Sequence, residues 1–179
     1  KYNSGTNTWD QQGSKIYGEQ INSNAGNSVS LNSAGDFVAV GEPFGSNPQP
    51  GKISIYYYNG TDWTIRGSRI EGKDSYNRAG LCCSISDDGT IVAAGAPRYD
   101  DPNGDREEGM VFAHVWDNGL WNQRGDDVIG TVRLESFGSS CVLNNDGTLF
   151  VAGSTFQDRA SSSSLDPKQH VAVYRWVFD

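Results

Sequence analysis

Four oxygen-bearing side chains fall at alternate positions in one stretch of the sequence. They are Asp101, Asn103, Asp105 and Glu107, within Tyr99-Asp100-Asp101-Pro102-Asn103-Gly104-Asp105-Arg106-Glu107-Glu108. Alternation of this kind lets a loop turn several oxygens onto one hard cation, which makes Ca²⁺ the candidate cofactor of the chain. The pattern is incomplete. Glycine stands at the fourth position rather than the sixth, no bidentate Glu stands at the twelfth, and Arg106 puts a positive charge inside the cluster. A solvated acidic loop is the competing reading.

Groups able to do catalysis are sparse. His114 and His170 fall in predicted strands, and neither belongs to a Ser, Cys or metal motif. The carboxylate pairs Asp87-Asp88 and Asp126-Asp127 are neighbours in sequence, whereas a glycosidase pair must converge across a cleft. Cys82, Cys83 and Cys141 are odd in number and lack metal-ligand spacing. Successive residues of a strand point to opposite faces, so Cys82 and Cys83 read as small buried side chains on two sides of one sheet. No residue is assigned a catalytic role, and the chain is expected not to be an enzyme. Asn59-Gly60-Thr61 is a sequon in a predicted hairpin turn, so Asn59 is a candidate glycosylation site if the protein is secreted by a eukaryote.

These residues are positioned by a repeat. Trp9, Trp63 and Trp121 stand 54 and 58 residues apart, and each is followed by five glycines at constant offsets. Four residues on come Gly13, Gly67 and Gly125; nine on, Gly18, Gly72 and Gly130; seventeen on, Gly26, Gly80 and Gly138. Gly35, Gly89 and Gly147 follow at twenty-six, then Gly41, Gly95 and Gly153 at thirty-two. The difference between the two spacings falls after the last shared glycine, where insertions mark a loop.

Four strands are expected in each unit, in the first at Ser28 to Leu31, Phe37 to Val40, Ile53 to Tyr58 and Trp63 to Ile70. Asn32-Ser33-Ala34-Gly35, Ser86-Asp87-Asp88-Gly89 and Asn144-Asn145-Asp146-Gly147 join the first two strands. Asn59-Gly60-Thr61-Asp62 and Asp117-Asn118-Gly119-Leu120 join the last two. All are rich in the residues that accept positive φ in tight hairpins. The second strand, as in Ile91-Val92-Ala93-Ala94-Gly95, is apolar on both faces and should be buried on both. The fold class is therefore all-β: three four-stranded antiparallel β-propeller blades, in a single domain over 1–179 with repeats at about 9–62, 63–120 and 121–176. A solenoid of sheets is the alternative. Three blades do not close a ring, since propellers use about four to eight. The chain is read as part of a larger propeller or as half of a six-bladed ring completed by a partner. Trp9 to Ile16 and the last unit, which lacks a fourth strand, could complete one blade between them.

The units resemble the FG-GAP repeat family, in the variant with a leading Trp-x-Gln. Trp9-Asp10-Gln11 and Trp121-Asn122-Gln123 match its start, Phe137-Gly138 the FG, and Gly41-Glu42-Pro43 and Gly95-Ala96-Pro97 the GAP; Gly153-Ser154-Thr155 lacks the proline. The resemblance covers almost the whole chain. It implies propeller blades of the kind found in integrin α heads, an extracellular or cell-surface location, and a protein or glycan partner. The calcium loop of the integrin-like repeat lies between the first two strands, where this chain has short turns with too few carboxylates, so that site is not carried over.

A formal net charge of -8 argues against nucleic-acid backbone and anionic membrane as partners, since both require clustered Lys and Arg. No apolar run approaches the roughly 20 residues that span a bilayer, so no membrane insertion is expected. Lys1 stands inside a repeat, and the lack of a leader there says nothing of compartment. The leading expectation is a non-catalytic extracellular or cell-surface binding or adhesion module. A structural subunit bracing a larger assembly comes second, and a glycan hydrolase or lyase on a propeller scaffold third. Self-association that completes a ring is a further expectation, and the unlike loops Phe44 to Pro50, Tyr99 to Glu108 and Gln157 to Pro167 are expected on one rim.

Overall fold

The computed structural model describes residues 1–44, 50–100, 107–155 and 170–175. It is all-β, with three antiparallel sheets stacked face to face behind a short leading hairpin; no helix occurs among the described residues. The hairpin pairs β1 (Tyr2–Asn3) with β2 (Thr8–Trp9). Sheet 1 runs β3 (Ser28–Leu31), β4 (Phe37–Glu42), β5 (Lys52–Tyr58) and β6 (Trp63–Ile65), with β7 (Ile70–Glu71) returning onto β5. Sheet 2 repeats this with β8 (Cys82–Ile85), β9 (Ile91–Ala96), β10 (Met110–Asp117), β11 (Leu120–Gln123) and β12 (Val128–Ile129). Sheet 3 has β13 (Phe137–Leu143), β14 (Leu149–Ser154) and β15 (Val171–Arg175).

The four-strand unit expected from the sequence is present in sheets 1 and 2, with its last strand divided. The stretch from Trp63 to Ile70 is not one strand: it breaks at Gly67, where φ is +73°, and its two halves, β6 and β7, each pair with β5. A Cβ at Gly67 would lie 2.5 Å from the Trp116 ring, so the aromatic of the next sheet occupies the space a side chain would need. Gly13 and Gly125 have the same left-handed backbone. The hairpin turns form as expected. Asn32 accepts from the Asp36 and Phe37 amides, and Asn144 accepts from the Leu149 amide, each closing its own turn.

Burial follows from the stacking. β8 and β9 in the middle sheet are buried along their whole length, while β4 and β14 are only half-buried at their starts, because sheets 1 and 3 each have a described neighbour sheet on one side. One core, including Ile53, Ile55, Val92 and Phe112, lies between sheets 1 and 2. A smaller one of Val111, Phe137 and Ala152, with Phe150 and Tyr174 against it, lies between sheets 2 and 3. Cys82 and Cys83 do face opposite ways. Cys82 Sγ reaches Gly138 O in sheet 3 at 3.2 Å, and Cys83 Sγ reaches Ala39 O in sheet 1 at 3.7 Å. All three cysteines are free, and burial pushes the Cys83 thiol up to about 11, so it is a protonated packing group at neutral pH.

The repeated tryptophan ties each unit to the one before. Trp63 Nε1 donates to Gln12 O and Trp121 Nε1 to Arg66 O, both at 2.8 Å, and both acceptors stand three residues after the preceding Trp. Each indole also leans on the aromatic at the end of its paired strand, Trp63 on Tyr58 and Trp121 on Trp116, with ring centroids 5.3 and 5.2 Å apart. Trp121→Phe removes the indole donor and leaves the partly buried Arg66 carbonyl without it. We expect a loss of about 1–2 kcal/mol of unfolding free energy in urea titration, with the sheet content unchanged by circular dichroism.

Candidate binding face

Antiparallel alternation sorts the connections to two ends. The tight hairpins between first and second strands, and between third and fourth, lie at one end. At the other end lie the longer links from second to third strand and from fourth strand into the next sheet. These two kinds of link bond to each other in the same way in successive units. Phe44 N donates to Ser23 O and Arg98 N to Asn77 O, while Ala79 N donates to Pro50 O and Phe137 N to Glu108 O. A continuous rim results.

Charged and polar side chains gather on this rim at equivalent positions, and their types differ from unit to unit. Where the second and third strands meet, sheet 1 pairs Glu42 with Lys52, sheet 2 pairs Ala96 with Met110, and sheet 3 sets Ser154 against His170. Lys52 Nζ donates to Glu19 Oε2 at 2.6 Å, and Arg69 Nε lies 3.4 Å from the same oxygen. The Lys52 hydrogen bond, with the charges of Lys52 and Arg69, holds the Glu19 carboxyl below the usual carboxylate range. Lys73 pairs with a nearly buried Asp127, whose hydrogen bond raises the lysine pKa.

Sheet 3 brings together a serine, a histidine and a carboxylate. Ser154 Oγ lies 3.2 Å from His170 Nδ1, and His170 Nε2 lies 3.1 Å from Glu135 Oε1. Glu135 Oε2 accepts from the Thr131 and Val132 amides at 2.7 and 2.9 Å, which fixes the carboxylate. The serine is placed differently from an activated nucleophile. Ser154 is buried, and its hydroxyl is also engaged by the backbone of His170, accepting from N at 3.2 Å and donating to O at 3.3 Å. The arrangement holds His170, stacked against Phe137, at the rim with an exposed edge.

Five buried side-chain atoms on the rim, Glu42 Oε2, Arg69 Nε, Arg98 Nε, Glu107 Oε2 and Ser136 Oγ, have no hydrogen-bond partner among the described residues, though Arg69 Nε keeps its ion pair with Glu19. Glu42 is almost wholly buried, and among the described residues only Ser54 Oγ, at 3.3 Å, reaches its other oxygen. A buried carboxylate oxygen without a donor is costly, which marks this end as the place where an added donor would be stabilising. The opposite end is self-sufficient: Asp88 accepts from Ser86 and Thr90, and Asp146 from Thr148.

The residues singled out from the sequence distribute as follows. Asp101, Asn103 and Asp105 lie outside the described residues, as does the stretch from Gln157 to Pro167; Glu107 is on the rim, with φ at +56° and its amide donating to Asp100 Oδ1. Among the described residues no three His, Cys, Asp or Glu side chains gather as a metal site. Asn59 is exposed in the β5–β6 turn at the hairpin end, its Oδ1 accepting from the Thr61 and Asp62 amides. Asp87 and Asp88 sit in the β8–β9 turn, at the other end from the rim, so they do not converge with Asp127. His114 lies within β10, against Phe112 and away from His170. Sequence reasoning missed Glu42 and Glu135. Glu42 had a signal, an acid closing the otherwise apolar run Phe37-Val38-Ala39-Val40-Gly41, whereas Glu135 becomes notable only once His170 is beside it.

No protein-family model matches the sequence, and no curated protein matches it. Among solved structures, the chain is similar to a 6-phosphogluconolactonase described as putative, from Bacteroides uniformis, at TM-score 0.49 and 11% identity, over 83% of this chain and 36% of that one. It is also similar to Kuenenia stuttgartiensis hydrazine synthase, at TM-score 0.48 and 12% identity, over 82% and 38%. The chain thus spans little more than a third of either.

The half-buried imidazole of His114 gives a pH test. Burial disfavours its charged form and lowers its pKa below the ordinary 6.5, with Asp127 opposing part of the shift. The folded state then binds this proton less tightly than the unfolded chain does. Its contribution to stability is complete above about pH 6.5 and is lost as pH falls through the lowered value. Urea midpoints for the native chain should fall between pH 7 and pH 5, and His114→Gln should flatten that slope.

Proposed function

We propose that the chain is a non-catalytic binding module of FG-GAP-like blades, working outside the cell or at its surface, and that the rim described above recognises a protein or glycan partner. The observation that carries this reading is the unequal treatment of the two ends. Hairpin turns satisfy their own polar groups, while the rim collects ion pairs of differing type and buried polar atoms without partners among the described residues. Rigid sheets with variable strand-end chemistry are a common way to present a recognition surface. The FG-GAP assignment rests on the Trp-x-Gln, FG and GAP residues, and the extracellular location follows from that resemblance.

Binding of the chain to immobilised glycans and extracellular-matrix proteins, at physiological salt, tests the reading. At least one probe should bind, the double variant Lys73→Glu with His170→Ala should weaken it on the order of tenfold, and Asn118→Ala at the opposite end should leave it unchanged. Failure of every probe to bind, loss of binding on Asn118→Ala alone, or turnover of a glycan would contradict it. Ca²⁺ held through Asp101, Asn103, Asp105 and Glu107 would raise the melting temperature at millimolar Ca²⁺ and lose that gain in chelator; an unchanged temperature removes the metal from the account.

A further inference from the structure

Two of the three cysteines meet across a junction between sheets, and the repeat shows how closely. At each junction the first strand of one sheet faces the first strand of the next. Ser28 in β3 and Cys82 in β8 hold one place, opposite Gly41 and Gly95. Cys83 in β8 and Cys141 in β13 hold the next place along, opposite Ala94 and Ala152. Between sheets 1 and 2 the two places are filled by Ser28 and Cys83, whose Oγ and Sγ lie 3.2 Å apart. Between sheets 2 and 3 they are filled by Cys82 and Cys141.

The backbone around the two junctions is the same. Ser28 Oγ donates to Gly80 O at 2.8 Å, and Cys82 Sγ to the equivalent Gly138 O at 3.2 Å. Cys83 Sγ lies 3.7 Å from Ala39 O, and Cys141 Sγ 4.0 Å from the equivalent Ala93 O. Ser30 Oγ accepts from the Ile85 amide and Ser84 Oγ from the Leu143 amide, so the facing strands share one register at both junctions. A hydroxyl against a thiol in the first junction becomes a thiol against a thiol in the second. The hydrogen bond with Cys82, together with burial, holds the Cys141 thiol well above the ordinary thiol range, so it is protonated at neutral pH. Cys83 stands apart from this pair. Strand alternation puts it on the other face of sheet 2, where Ser28 is its neighbour, and keeps it from bonding to Cys82.

We propose that Cys82 and Cys141 are a disulfide-forming pair whose bond locks sheet 2 to sheet 3. Sulfurs already in contact need to close by only about 1–2 Å to reach the bond length of about 2.05 Å. The oxidant is a small-molecule disulfide, such as oxidised glutathione. Cys141, the less buried of the two, loses its proton and attacks one sulfur of the oxidant, which forms a mixed disulfide and releases one small thiol. Cys82 then loses its proton and attacks Cys141 Sγ, releasing the second. One S–S bond of the oxidant is exchanged for one in the protein, two electrons pass to the oxidant, and the two protons leave on the released thiols. Burial slows this exchange in the folded stack, so the bond forms as the chain folds and before the sheets close over the pair.

Refolding from denaturant in a buffer of oxidised and reduced glutathione, then alkylation without reductant and mass spectrometry, tests this. The native chain should take up one alkyl group, at Cys83, against three after full reduction. Cys83→Ser should still form the bond, whereas Cys82→Ser, which also keeps two cysteines, should not. The oxidised chain should unfold at a urea midpoint about 1–2 M above that of the reduced chain, and dithiothreitol should remove the difference. Three alkylatable thiols in the refolded native chain at every redox ratio overturn the proposal. So does a bond that forms as readily in Cys82→Ser, or an oxidised chain whose midpoint is not raised.

Discussion

Successive sheets meet at glycines with no room between them for a side chain, and the rest of the architecture depends on that contact. Gly41 and Gly95, at the ends of the second strands, lie against the carbonyls of Gly80 and Gly138, and a methyl group in either place would sit 2.0 Å from the oxygen. Gly80 and Gly138 have φ of +85° and +83°, which turns those carbonyls toward the neighbouring sheet. No other residue pair permits both the contact and the backbone. With the sheets this close, Ser30 Oγ accepts from the Ile85 amide and Ser84 Oγ from the Leu143 amide, at 3.1 and 2.9 Å. Two otherwise unpaired amides of the first strands are satisfied across the interface, and the apolar residues of the second strands are sealed between sheets.

That constraint explains what could be read from the sequence. A position that admits only glycine leaves a mark at a constant offset, so the five glycines disclosed the units, the hairpins and the doubly buried strand before any coordinates. Cys82 and Cys83 were legible for a similar reason, since strand alternation alone sends them to opposite sheets. The break of the fourth strand at Gly67 was not legible, because it depends on the Trp116 ring pressing from the next sheet. The rim was visible only in part. Glu42 stands out as an acid at the end of an apolar strand, but its pairing with Lys52, and the grouping of Glu135 with His170, join residues far apart in sequence.

Stability and surface variation are thereby divided between different parts of each unit. Interiors of the strands are fixed by stacking and repeat with little variation. Strand ends on the rim carry an acid and a lysine, then two apolar residues, then a serine and a histidine, on the same backbone. Changes there alter the surface chemistry of the rim without disturbing the glycine contacts, which suits a scaffold that presents different surfaces on one fold.

The unfolding free energy of Gly95→Ala tests most directly whether the glycine contact organises the stack. With its added methyl forced against the Gly138 carbonyl, the account predicts a loss of about 3 kcal/mol or more, with the amides of Ile85 and Leu143 losing protection from hydrogen exchange together. A variant within about 0.5 kcal/mol of the native chain, with those amides still protected, would contradict it.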